Sequence, residues 1–123
     1  MAAYTPKARE GTWLWLLKII AGALIIVILG VHFVINHMAA PEGLLTYADV
    51  VRYYQIPYVV VMEFIFVIVV VVHAFIGLRS IVLDMNPSEA VLKAVDIVLT
   101  LAGTSAIVYG IWLLLTIAQR GAA

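Results

Sequence analysis

Apolar residues fall in three long runs separated by two short polar breaks. The first run extends from Trp13 to Ile35 and is interrupted only by Lys18 and His32. The second spans Ile56 to Leu83 and encloses Glu63, His73 and Arg79. The third spans Ala90 to Ala118, with Lys93 and Asp96 in its first two turns. A hydrocarbon core of ~30 Å needs roughly 20 helical residues. Each run is long enough to cross it with length left for tilt. The pattern predicts transmembrane helices over about 13–36, 56–84 and 89–118.

The breaks carry their own signals. In "NHMAAPEGLLTYADVVRYYQIP", Pro41 and Gly43 end the first helix. Thr46 with Asp49 three residues on reads as a capping box, and Tyr47, Val50, Val51 and Tyr54 give an amphipathic turn or two. A short interfacial helix is therefore expected at about 46–54. In "DMNPSEA", Asn86-Pro87 stops the second helix and Ser88 caps the third. The expected fold class is all-α, with residues 1–123 forming a single membrane domain.

Composition agrees with the pattern. Hydrophobic residues make up 66% of the 123 and charged residues 11%, against about 25% charged in soluble domains. The net charge of zero suggests no nucleic-acid partner. The absence of cysteine excludes a cysteine-held iron–sulfur cluster, covalent haem attachment and disulfides within this chain. The first run is longer than the apolar core of a signal peptide, so an uncleaved helix is expected.

Charge also sets direction. Lys7, Arg9, Lys18, Arg79 and Lys93 gather on one side, and Arg52 and Arg120 on the other. The positive-inside rule then places the N-terminus and second loop in the cytoplasm and the C-terminus outside. Gly103, Ala106 and Gly110 lie on one stripe where backbones can approach. Trp13, Trp15 and Trp112 sit near the expected interfaces.

Imidazole is rare in hydrocarbon-facing helices, so His73 is a candidate site. At 3.6 residues per turn, Phe66, Val70, His73, Gly77, Ser80 and Asp84 share a face. Gly77, one turn from His73, removes a Cβ that would collide with a flat macrocycle. His73 is a candidate axial haem ligand through a neutral nitrogen; a hydrogen bond to a neighbouring helix is the plainer alternative. His32 is a second candidate. Counted along the helices, it lies ~21 Å beyond Lys18, and His73 lies ~16 Å from Asp84. If Lys18 and Asp84 mark one level, His32 stands somewhat nearer the outer face, and the two histidines would serve different irons. His37, at the membrane edge, is expected to be solvated. Arg79 can pair with a haem propionate, hold Asp84 or snorkel to headgroups, and Lys18 has the same choices. Glu63 can point into the bundle or reach the interface.

Leu45-Thr46-Tyr47, then His73-Ala74-Phe75-Ile76-Gly77, then Asp84 resemble the small membrane-anchor subunit of succinate dehydrogenase, respiratory complex II; fumarate reductases use related anchors. The resemblance is specific from Leu45 to Asp84 and covers most of the chain in outline. It implies half of a two-subunit haem-binding helical bundle. A second membrane-anchor subunit, an iron–sulfur subunit and a flavoprotein subunit would complete the complex in the cell inner (plasma) membrane. It further implies electron transfer from succinate to a quinone near the cytoplasmic face, with no succinate site in this chain. His73 would ligate haem b together with a histidine of the other anchor. Lys18 and Arg79 would supply charge near its propionates, and Asp84 would close the segment. Two features depart from one-haem relatives. Met85 stands where a quinone-bonding tyrosine often follows the aspartate. His32 matches anchors that hold two haems, where helix-one histidines serve the haem nearer the outside. One haem or two, the quinone type, the direction of catalysis and any higher oligomer of the heterotetramer stay open. A haem-free anchor, and a membrane protein of another class such as a small transporter or assembly factor, are the competing readings.

Overall fold

The structure is a computed structural model that describes residues 11–39 and 46–121. The charges Lys7 and Arg9, the helix breakers Pro41 and Gly43, and Leu45 lie outside the described residues.

Four α-helices account for nearly all of what is described: α1 (Thr12–Val34), α2 (Tyr47–Tyr53), α3 (Pro57–Asp84) and α4 (Glu89–Arg120). α1, α3 and α4 are long and apolar enough to cross a membrane, and the chain is a multi-pass membrane protein. Helices suit this role because every backbone donor finds its acceptor within the segment. α1 does not stop at Val34; it continues through one π-type turn, Ile35–Ala39. α4 runs two residues past the expected end at 118.

The caps follow the sequence signals. Thr46 Oγ1 accepts from the Asp49 N–H, and the Asp49 carboxylate accepts from the Thr46 N–H, closing the capping box of α2. Pro57 opens α3, where its missing N–H costs nothing. Ser88 caps α4 by accepting from the Val91 N–H. Between α3 and α4, Asn86 adopts φ 53°, a left-handed conformation that asparagine tolerates better than most residues. With Pro87 next, the helix cannot continue.

α3 is the central helix, packed on α1 along one side and on α4 along another. On α1, Leu14, Lys18, Ala21, Ile25, Ile28 and His32 form the covered stripe, at steps of three and four residues. On α4, Gly103 and Gly110 lie under Phe75 and Val67 of α3. α2 packs back on the end of α4: Gln55 donates to the Ala118 carbonyl at 3.2 Å, and Arg120 donates to the Tyr47 hydroxyl at 3.0 Å. The core is thin. Only 6% of the most apolar window of the first span is buried, and 11% of each of the others. So much bare apolar surface needs lipid or partner helices around it.

Candidate haem-binding histidines and their partners

α1 and α3 run antiparallel, and three polar contacts set their register. Lys18 Nζ donates to Ser80 Oγ at 2.7 Å. His73 Nδ1 lies 3.1 Å from the Lys18 carbonyl oxygen. His32 Nδ1 lies 2.7 Å from Glu63 Oε1. A carbonyl and a carboxylate only accept, so in both histidines Nδ1 carries the hydrogen. The neutral ring then has its lone pair on Nε2.

This register changes the depth estimate. Lys18 is not level with Asp84: its ammonium reaches Ser80, about one turn nearer the middle of α3, and its carbonyl meets His73. Gly22, beside His73, is ten residues from His32 along α1, and Glu63, beside His32, is ten residues from His73 along α3. Both helices give a separation of ~15 Å between the two imidazole levels, instead of the ~5 Å that equal-depth marks imply.

Each site rests on small or aromatic neighbours. A Cβ on Gly22 would stand 3.1 Å from His73 Cε1. The glycine that seats the His73 ring is therefore in α1, and sequence reasoning missed it because pattern along α3 says nothing of α1. Gly77 has nothing within 4 Å of a built Cβ, so that flank of His73 is open within this chain. His32 lies against Phe66, with ring centroids 5.3 Å apart.

Around His32 a polar cluster closes the first-loop end of the bundle. Glu63 is only 5% exposed; it points into the bundle, which answers the choice its sequence position left open. Its Oε1 also accepts from the Tyr53 hydroxyl at 2.9 Å. Burial pushes the Tyr53 phenol well above the ordinary tyrosine range, and the hydrogen bond to Glu63 and its charge push the same way. Tyr54 is raised by burial and then by the Glu63 charge. Asn36 is buried beside them, and its Oδ1 accepts from no described group. His37 is exposed, beside Phe33.

At the other end, Arg79 makes a two-pronged contact with Asp96 of α4, at 2.6 and 3.2 Å. Among the described residues its carboxylate partner is thus across the helix pair rather than Asp84, which is five residues on and exposed with Met85.

A haem axial ligand is a neutral imidazole with one nitrogen held and the other free. His73 and His32 fit that description, and Gly77 leaves the flank of the first uncovered. Among the described residues no three His, Asp or Glu side chains converge as a metal cage. Each histidine offers one nitrogen donor, at its Nε2.

Residues 2–117 match the sequence model of the succinate dehydrogenase/fumarate reductase transmembrane subunit. The chain is 37% identical over 103 residues to the succinate dehydrogenase hydrophobic membrane anchor subunit of Archaeoglobus fulgidus, covering 84% of this chain and 87% of that one.

Proposed function

Because the chain belongs to the succinate dehydrogenase/fumarate reductase transmembrane subunit family, we propose that it is the haem-bearing anchor of a succinate:quinone oxidoreductase. A second anchor completes its bundle, and the pair holds the iron–sulfur and flavoprotein subunits at the cytoplasmic face. The charge count supports a cytoplasmic N-terminus and second loop, with the C-terminus outside the plasma membrane. Quinone binds near the second-loop end, where the iron–sulfur subunit docks.

His73 holds the cytoplasm-side haem b through Nε2, and the Lys18 carbonyl fixes its tautomer and ring angle. Gly77 leaves the space beside it, Lys18 brings positive charge to that end, and Arg79 stands there paired with Asp96, with Asp84 at the rim. His32 holds a second haem b toward the outside, likewise through Nε2. Haem supplies one-electron exchange at a potential set by its axial ligands, nearby hydrogen bonds and burial. The chain's own work is to hold the rings, exclude water with apolar helices and place the two levels ~15 Å apart.

The observation that carries this reading is the pair of imidazoles, each pinned at Nδ1 by a different helix and each presenting Nε2. A haem-free anchor is the second reading, since the bond from His73 to Lys18 would by itself tie α3 to α1. Haem quantitation in the purified complex separates them. His73→Ala and His32→Ala should each remove one b-type haem without preventing membrane insertion. No b-type haem in the wild-type complex would leave the haem-free anchor, and full haem content in both variants would show that neither histidine is a ligand.

A further inference from the structure

The two histidines differ in what holds them. His73 leans on a neutral peptide carbonyl, whereas His32 leans on a carboxylate buried in an apolar span. An ionisable side chain at such depth is costly, and those that occur mark function. Glu63 also receives the Tyr53 hydroxyl on the same oxygen that takes the His32 N–H. Its carboxylate is thereby held by a donor from α2 as well as one from α1. Phe66 bounds the ring of His32 on one side. The His32 side chain keeps 31% of its surface exposed in the isolated chain, enough for contact beyond its own bundle.

Resting on the reading of His32 as a haem ligand, we infer that Glu63 is its positioning residue: the carboxylate fixes the Nδ1–H tautomer, aims Nε2 and raises the donor strength of the imidazole, with Tyr53 moderating it. A bond to an ionised acceptor is shorter and about twice as strong as one to a neutral acceptor. It draws the Nδ1 proton away and leaves more electron density on Nε2, which favours ferric over ferrous iron. Partners of this kind tune ligand basicity and redox potential. Tyr53 competes for the same oxygen, so its removal should strengthen the bond to His32.

The test uses the purified complex, with haem content, a potentiometric titration and the near-infrared charge-transfer band of the ferric haem, which follows axial donor strength. His32→Ala should lose one haem; retention of both would sink the reading on which the inference rests. If that loss occurs, Glu63→Gln should raise the reduced-to-oxidised ratio of the same haem about tenfold at fixed ambient potential, equivalent to ~59 mV for one electron, and should shift the band. Tyr53→Phe should move the potential and band in the opposite sense, and it decides the matter if Glu63→Gln fails to assemble. An unchanged band and potential in the assembled variants, after His32→Ala has lost its haem, would overturn the role of Glu63 alone. A shifted potential with an unmoved band would overturn it too, because the carboxylate would then act only as a nearby charge.

Discussion

His73 of α3 is held by the backbone of α1: its Nδ1 lies 3.1 Å from the Lys18 carbonyl oxygen. A peptide carbonyl cannot be removed by a side-chain substitution. The ring's environment is best probed through the glycines on either side of it.

Gly22 and Gly77 should behave differently. Gly22→Val places branched carbon where a Cβ alone would stand 3.1 Å from His73 Cε1, so it should displace the imidazole in this chain itself. The cytoplasm-side haem should be lost or become high-spin, which its absorption spectrum reports. A Cβ on Gly77 meets nothing within 4 Å in this chain, so for Gly77→Leu insertion and helicity should be unchanged by circular dichroism while the same haem is lost. Retention of low-spin haem in Gly77→Leu would show that no macrocycle stands on that flank.

Gly110 should tolerate less than Gly103. A Cβ on Gly110 would come within 2.9 Å of Val67 Cγ1, whereas one on Gly103 would rest 3.5 Å from the Phe75 ring. Gly110→Ala should destabilise the α3–α4 contact by about 1–3 kcal/mol, as overpacking does, and Val67→Ala should restore it. Gly103→Ala should be close to neutral. Thermal unfolding of the detergent-solubilised complex measures all three.

The Arg79–Asp96 pair should matter little to stability despite its geometry. The Asp96 side chain is 40% exposed, so solvent screens the attraction and the coupling should be about 0–1 kcal/mol. A double-mutant cycle with Arg79→Gln and Asp96→Asn measures it. A larger coupling would mean that partner subunits bury the pair.

Tyr53 gives the fold an alkaline limit. Its phenol is raised by burial first and by Glu63 second, so folding favours the neutral form. The stabilisation is complete below the unfolded tyrosine pKa of about 10. It is lost as pH rises above that, because the unfolded chain releases the proton first. Unfolding midpoints measured from about pH 9 to 11 should fall more steeply for the wild type than for Tyr53→Phe. Parallel curves would show that the phenol is not held as described.

Much of the fold was legible because helix length and caps are local. The runs around Lys18, Glu63 and Asp96 showed three spans, and Thr46 with Asp49 marked the start of α2. The pairings between helices were not legible, because they depend on rotation and register, which no single segment encodes. Gly22 became visible only once α1 lay beside His73, and Asp96 emerged as the Arg79 partner only once α3 and α4 were packed. His32 and Glu63 are 31 residues apart. Each was noticed as a polar residue in an apolar run, and their contact was not. The depth estimate failed for the same reason: Lys18 points toward its own N-terminus, as helical side chains do, and so reaches Ser80 from a backbone level near His73.

The most direct test is haem quantitation per flavin in the purified complex, with a reduced-minus-oxidised spectrum. Two b-type haems, one lost with each histidine, are the predicted result. A complex that assembles with its flavoprotein and shows no b-type band after reduction would contradict the account.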